Sequence, residues 1–266
     1  MRRRLDAELV RRGLVVSRSQ AAAAIRAGRV LVGGAPAATP ARQVSAGEAI
    51  TVTGPPPRFV SRAGEKLFAA LERFTIDVAG RRALDAGAGT GGFTDCLLQQ
   101  GAAHVYAVDV GRGQLTWSLR RDPRVTPLER TNVRALEPSV LGGRVDLCTA
   151  DLSFISLLTV APALQRCSDD SGDLVLLVKP QFEAGRDRVG KGGVVRDPSV
   201  HADVLRRIGS GLTAAGLRVV EAMPSPRRGA DGNVEFLVHC RKGAGSGLGD
   251  DAVAAVVAEA HGSVPR

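Results

Sequence analysis

Four polar residues stand out against their surroundings, and a glycine-rich turn lies among them in the chain. Lys66 lies in a helical segment that begins near Arg62. Asp151 ends an apolar run in Ala150-Asp151-Leu152-Ser153, and Lys179 ends another in Val178-Lys179-Pro180. Glu235 sits at the start of a third, in Asn233-Val234-Glu235-Phe236, and is expected just inside the last strand. Any one of these read alone is a salt bridge at a sheet rim. Strand-end charges at one rim of a sheet, with the helical Lys66 beside them, can converge on a crevice where ammonium and carboxylate groups orient a hydroxyl and steer its proton. The turn Gly87-Ala88-Gly89-Thr90-Gly91-Gly92 has the G-x-G-x-x-G form, with Asp85 two residues before it and Asp109 at the end of the next apolar run. Glycines at a strand-to-helix turn let a cofactor approach the backbone, and a carboxylate after the second strand can bind ribose hydroxyls. The pattern by itself does not separate a nicotinamide cofactor from S-adenosylmethionine.

The elements that must position these groups alternate in type. Ala83–Asp85, Val105–Val108, Val145–Cys148 and Leu174–Val178 are short apolar runs suited to buried parallel strands. Helical stretches are expected between them at Phe93–Gln100, Gln114–Arg121 and Ile155–Cys167. This is the pattern of a doubly wound α/β sheet whose ligand lies beyond the strands' carboxyl ends. A helix at His201–Ala214, a strand at Leu217–Ala222 and a last strand at Val234–Cys240 give a hairpin ending. That ending, with the L-D-x-G-x-G-x-G form, points to a Rossmann-like methyltransferase sheet rather than a dehydrogenase.

Charge is divided unevenly. Of the net +9, residues 1–62 carry +8, from 11 Arg and no Lys against Asp6, Glu8 and Glu48. The asymmetry suits a polyanion-binding module joined to an electrostatically balanced enzyme. Leu5, Leu9, Val10 and Leu14 form an apolar stripe at helical spacing, with Arg3, Arg4, Arg11 and Arg12 interleaved. Ser17-Arg18-Ser19-Gln20 has the form of a capping box opening a second helix, which should stop at Gly28. Val30–Val32, a Gly33-Gly34 turn and Ala35 predict a hairpin, and Ala49–Val52 a further strand. Pro55-Pro56-Pro57 makes a stiff linker. The expected division is 1–54 for a small α+β RNA-binding domain, 55–60 for the linker, 61–242 for the catalytic domain and 243–266 for a tail with a short helix at Asp250–His261. Aromatic residues are only 3%, which argues against a stacking-platform RNA binder. The four cysteines form no C-x-x-C pair, so neither a metal site nor a disulfide framework is signalled. No run approaches a membrane span and the basic N-terminus lacks an export signal, so a cytoplasmic protein is expected.

The first segment, from Arg4-Leu5-Asp6 through Arg12-Gly13-Leu14, Ser17-Arg18 and Ile25 to Val32-x-Gly34, resembles the S-four RNA-binding domain. The Lys66, Asp151, Lys179 and Glu235 set resembles that of the FtsJ-like ribose 2′-O-methyltransferases. Val60-Ser61-Arg62, Thr90–Thr94, Asp109-Val110-Gly111, Leu128–Asn132, Asp151–Ser156, Val178–Glu183 and Gly232–Glu235 extend the match in order. The whole resembles the TlyA (haemolysin A-like) rRNA methyltransferases. An arginine-rich first helix further suggests the form of that family that acts on both ribosomal subunits. At Phe59 the linker departs from a family that often carries Trp.

The resemblance implies S-adenosylmethionine as cofactor, with Asp85, Gly87, Gly89, Gly91, Phe93, Asp109 and Asn132 binding it. It implies cytidine 2′-hydroxyls of ribosomal RNA as substrate, and ribosomal subunits as partners of an enzyme expected to be a monomer. Arg3, Arg4, Arg11, Arg18, Arg26 and Arg29 are the expected RNA contacts. Lys179 is expected to be the base, kept partly neutral by nearby Lys66, with Asp151 orienting it and Glu235 holding Lys66 and the ribose. No metal is expected. Three rivals remain open: a catalytically inactive ribosome-assembly factor, a pore-forming haemolysin, and a base methyltransferase, which would need a signature that is missing here.

Overall fold

The computed structural model describes residues 2–15, 18–55, 57–229 and 231–262. Ser17 of the expected capping box lies outside them. Backbone packing divides the chain into two compact units, Met1–Ser61 and Arg62–Arg266.

In the first unit, β1 (Arg2–Arg4) leads directly into α1 (Leu5–Arg11), followed by α2 (Arg18–Arg26). Four short strands follow: β2 (Val30–Val32), β3 (Ala35–Pro36), β4 (Gln43–Ser45) and β5 (Ile50–Val52). β2 pairs antiparallel with β3 and β5, and β1 pairs antiparallel with β4. Gly28 and Gly33 both adopt positive φ, the first ending α2 and the second turning the hairpin. Leu5, Leu9, Ala21, Ala24, Ile25, Val30 and Val32 form the core. The first helix is shorter than the arginine pattern predicts. Arg2–Arg4 are strand residues, drawn into extended backbone by β4, and so are not on α1.

The second unit opens with α3 (Ala63–Arg73) and then alternates β6 (Arg82–Ala86), α4 (Gly92–Gln99), β7 (His104–Val108), α5 (Trp117–Arg120), β8 (Val125–Leu128), β9 (Val145–Ala150) and α6 (Leu157–Cys167). It continues through β10 (Ser168–Val178), α7 (Pro180–Glu183), α8 (Pro198–Ala214), β11 (Leu217–Pro224), β12 (Phe236–Lys242) and α9 (Asp250–Ala260). The sheet order is β11-β12-β10-β9-β6-β7-β8, parallel except for β12. β6, β9 and β10 are apolar runs because both faces are covered: Leu84, Cys148 and Leu176 on one face and Ala83, Leu147, Val175 and Leu177 on the other are all buried. α6, α8 and α9 share one core, in which Val253, Val256 and Val257 of α9 are buried; the segment expected as a tail is therefore packed. No helix among the described residues is long and apolar enough to cross a membrane.

The chain order reverses between β6 and β9, so a crevice opens beyond their carboxyl ends. The opposite edge is closed by a buried carboxylate: Asp173 accepts from Arg81 (2.7 Å), His239 (2.8 Å) and Arg241 (2.7 Å).

Two predicted elements differ. The helix expected at Gln114–Arg121 is reduced to Trp117–Arg120, because the preceding loop folds onto the glycine turn: the Thr116 hydroxyl donates to Thr90 O (2.7 Å) and Gly113 N–H to Glu129 (2.7 Å). Glu235 lies just before β12 rather than inside it, where its carbonyl accepts from Ser225 N–H at 2.8 Å.

Candidate active site

The registers align the site residues along one rim. Val178 pairs with Phe236, Leu176 with Ala150, and Ala86 with both Ala150 and Val108. Glu235, Lys179, Asp151, Gly87 and Asp109 therefore leave neighbouring strand ends in that order. With strands spaced ~4.8 Å apart, the four strands β10, β9, β6 and β7 span roughly 14 Å.

The four charged residues form two pairs. Lys66 Nζ donates to Glu235 Oε2 at 2.5 Å, with both side chains buried. Lys179 Nζ lies 2.6 Å from Asp151 Oδ1 and donates to Ser153 Oγ at 2.9 Å. The 28-residue separation of Asp151 and Lys179 is closed by pairing of β9 with β10, and the 169-residue separation of Lys66 and Glu235 by α3 meeting the start of β12. The direct partner of Lys179 is therefore Asp151, and that of Lys66 is Glu235.

The glycine turn is shaped by its neighbours. Gly87 has φ +85°, and a Cβ there would lie 2.6 Å from the Asp151 carbonyl oxygen. Gly91 has φ +95°, and its Cβ would overlap Leu119 and Leu115. Gly89, at φ +52°, meets no side chain and is the open member of the turn. Its N–H donates to Asp109 Oδ2 (2.8 Å), while Asp109 Oδ1 accepts from Gly111 N–H (2.7 Å). Asp109 thus ties the glycine turn to the end of β7.

Three expected ligand residues are placed differently from one another. Asp85 is fully buried beneath the turn and accepts from Thr94 Oγ1 at 2.6 Å. Burial pushes its carboxyl up to about 7, and the Asp151 charge adds to the effect. It supports the turn from below and does not open onto the crevice. Phe93 is likewise buried in α4, so its side chain does not open onto the crevice. Asn132 is exposed, and its side chain accepts from Arg134 N–H (3.1 Å), capping the short turn Val133–Ala135.

Two further residues belong to the site and were not singled out from the sequence. Glu183, at the end of α7, is buried; Oε1 accepts from Leu157 N–H (2.7 Å), and Oε2 from Ser156 Oγ (2.8 Å) and Arg207 (3.0 Å). It joins the segment after Asp151 to the segment after Lys179. Burial holds its carboxyl above the usual range. Phe154, in the loop after Asp151, is 91% exposed at φ +63°, with its ring 5.1 Å from that of Phe182. An aromatic residue so close to a strand-end carboxylate, in a chain this poor in aromatics, was the available signal.

All four cysteines are buried, and burial pushes the Cys240 thiol up to about 12 and Cys148 higher still. None has the character of a nucleophile.

The FtsJ-like methyltransferase family matches residues 59–242 of this chain, and the S4 domain family matches residues 3–50. The chain belongs to the FtsJ-like methyltransferase family. It is 56% identical to the 16S/23S rRNA (cytidine-2′-O)-methyltransferase TlyA of Mycobacterium tuberculosis over 90% of each chain. It is 40% identical to Hemolysin A of Brachyspira hyodysenteriae, over 89% of this chain and 98% of that one. A solved structure from Streptococcus thermophilus, described only provisionally as a hemolysin, shares 40% identity with a TM-score of 0.80 and covers 98% of this chain and 96% of its own. The parallel sheet with its antiparallel seventh strand is thus an FtsJ-like methyltransferase fold, preceded by an S4 domain.

In the S4 domain two buried acids organise the arginines. Asp6 accepts from Arg4 (2.9 and 3.1 Å) and Arg18 (2.9 Å), and these bonds, Arg4's first, hold its carboxyl well below the usual range. Glu8 accepts from Arg11 (2.5 and 2.7 Å) and Arg12 (2.8 Å), with Arg3 at 4.0 Å. Five guanidinium groups on two carboxylates leave a net positive, pre-oriented fan. Arg12 is spent on the fold itself, donating to the Ser45, Ala46 and Glu48 carbonyls. Arg29 donates to Pro55 O at 3.1 Å, and Arg26 is exposed.

Proposed function

We propose that this protein transfers a methyl group from S-adenosylmethionine to the 2′-hydroxyl of cytidine in ribosomal RNA, in the large subunit and also the small. The observation that carries the reading is the pair of lysine–carboxylate contacts, Lys179–Asp151 and Lys66–Glu235, beside an open glycine turn in a chain so similar to a 16S/23S rRNA (cytidine-2′-O)-methyltransferase.

The residues present fit the cofactor. Gly89 leaves an open face where a Cβ would intrude, and Asp109 has two of its roughly four acceptor directions filled by backbone, which leaves the others for ribose hydroxyls. Gly87 and Gly91 shape that seat, Asp85 supports it from beneath, and the exposed Asn132 is the candidate for contact with the adenine. When bound, the sulfonium supplies an already activated methyl group, so the chain's task is alignment and proton handling.

Lys179 meets the ribose hydroxyl. Its Nζ accepts the hydroxyl proton, while Asp151, at 2.6 Å, holds the amine in place. Lys66, held by Glu235, supplies a fixed donor that orients the ribose. Phe154 offers an exposed ring beside Lys179 on which the nucleobase can stack. The arginine fan of the S4 domain binds structured RNA chiefly through phosphates.

The test is methyl transfer from labelled S-adenosylmethionine to separate unmethylated small and large subunits, followed by nucleoside mass spectrometry. The expected product is 2′-O-methylcytidine, absent with Lys179→Ala. Tight subunit binding without transfer to either would instead favour an assembly factor that has lost activity.

A further inference from the structure

A second cavity opens on the same rim, on the side of Glu235 away from the glycine turn. Its volume is about 330 Å³, and Arg196, Arg228, Asp231 and His261 line it together with Val195 and Val234. Val234 adjoins Glu235, so the cavity borders the Lys66–Glu235 pair through one peptide unit.

Its walls are held from several sides. The buried Asn233 side chain accepts from Val195 N–H (3.0 Å) and donates to Gly193 O (2.9 Å), which ties the 190–196 loop to the β11–β12 hairpin. Behind it, His201 Nε2 lies 3.2 Å from Val195 O and His201 Nδ1 lies 3.0 Å from His261 Nε2. A carbonyl only accepts, so Nε2 of His201 carries the proton, Nδ1 accepts, and His261 Nε2 donates. The His261 ring is thereby fixed at the cavity wall.

The neighbouring arginines are neutralised: Arg188 by Asp203, Arg207 by Glu183 and Arg227 by Glu65. Among the described residues no carboxylate pairs with Arg196 or Arg228, although Arg228 donates to Gly232 O at 3.3 Å. Two arginines without carboxylate partners, in a braced cavity one residue from the acceptor site, suit an anion. Asp231 is the one carboxylate among the lining residues.

We infer that this cavity is a phosphodiester subsite, seating a backbone phosphate of the nucleotide that flanks the methylated ribose on the side away from the cofactor. The inference rests on the proposed rRNA substrate. It gives the RNA strand a direction across the rim: phosphate over β12, ribose over β10 and β9, methyl donor over β6 and β7.

Binding of the full-length protein to unmethylated ribosomal subunits, measured by filter retention from low to high salt, tests it. Arg196→Gln with Arg228→Gln should weaken binding roughly tenfold and lower the slope of log K against log[salt] by about 0.7 to 1. Both side chains are exposed, so neither change empties a packed position. Arg196→Lys with Arg228→Lys should restore the slope. Asp231→Asn should tighten binding, and S-adenosylmethionine affinity should stay as in the wild type throughout. Arg144→Gln, just before β9 at the amino-terminal rim of the sheet and paired with Asp170, serves as a neutral control. Wild-type affinity and slope in the double glutamine variant, or weaker binding by Asp231→Asn, overturns the subsite. A wild-type protein that binds with the arginine-dependent slope yet transfers no methyl group overturns the proposed reaction and leaves the subsite standing.

Discussion

Asp151 Oδ1 and Lys179 Nζ lie 2.6 Å apart, at the ends of adjacent parallel strands. A contact held by two strand ends and braced by Glu183 has little freedom to reorganise, which is what proton transfer at a fixed geometry requires. Lys179→Ala should lower methyl transfer by a factor of roughly 10² to 10⁴ with S-adenosylmethionine affinity retained. Asp151→Asn keeps the shape and removes the charge, and should lose most of the same factor in kcat. Near-wild-type turnover in either folded protein would remove Lys179 from the role of base.

Glu183 tests the bracing separately. It touches neither pair, yet it joins the Asp151 loop to the Lys179 turn through Leu157 N–H and the Ser156 hydroxyl. Glu183→Gln keeps one acceptor oxygen and loses the ion pair with Arg207, which is half-exposed and therefore adds little by itself. The expected result is a kcat reduced about tenfold, unchanged KM for cofactor and a displaced alkaline limb of the pH–rate profile. Glu183→Asp, which keeps the charge, should recover part of the rate. A variant that loses stability alone, with kcat and the pH profile intact, would make Glu183 purely structural.

The glycine turn separates two effects within a few residues. Gly87→Ala puts a Cβ 2.6 Å from the Asp151 carbonyl at φ +85°, and should cost on the order of 2–4 kcal/mol while displacing Asp151. Gly89→Ala meets open space, so its cost should be limited to the ~1 kcal/mol of left-handed backbone, while cofactor affinity falls because the new methyl occupies the open face. Urea titration and calorimetry read the two quantities independently. Equal stability losses with equal cofactor affinity would contradict the assignment of Gly89 to the cofactor seat.

How much of this was legible depends on where each element draws its stability. β6, β7, β9 and β10 are buried on both faces, so their composition alone announced them. β8 is an edge strand carrying Pro127, and β1 is three exposed arginines; both exist because a neighbour pairs with them, and neither has a pattern of its own. The helix expected from Gln114 failed because Gly113 and Thr116 are recruited by Glu129 and Thr90, contacts distant in sequence. Asp151, Lys179 and Glu235 could be chosen from their positions at strand ends and Lys66 from its helix, but their pairing was expected only through the family resemblance, since no local pattern encodes the strand order and the placement of α3 that bring the partners together. Glu183 was hidden for the same reason: a buried carboxylate after Lys179-Pro180 has no meaning until α6 begins beside it.

Asp109 is expected to serve both the turn and the ligand. Its two oxygens each accept one backbone N–H, from Gly89 and Gly111. Asp109→Ala removes both acceptors and the charge, so cofactor affinity should fall roughly 10- to 100-fold, the range for bonds to a charged group. Asp109→Asn should fall between the two proteins. Unaltered affinity by calorimetry in Asp109→Ala would place the ribose hydroxyls elsewhere.

Asp85 gives the fold a pH dependence that runs opposite to that of the ion-paired carboxylates. Its carboxyl is pushed up to about 7 from an ordinary 3.8, first by burial, while Thr94 opposes the rise. Below about 4 the group is protonated in both the folded and unfolded chain and contributes no pH-dependent cost. As pH climbs from there, the unfolded chain releases the proton first, so stability is progressively lost until the folded group also titrates near 7, and the loss then levels off. At about 1.4 kcal/mol per unit, the full effect is on the order of 4 kcal/mol. Asp85→Asn cannot titrate, and its amide oxygen can still accept from Thr94. Unfolding free energies of the two proteins, measured by urea at a series of pH values, should therefore diverge between pH 4 and 7 in favour of the variant and run parallel above. Parallel curves across the whole range would mean that Asp85 stays ionised in the fold, with the Thr94 hydroxyl and the turn above it compensating a buried charge.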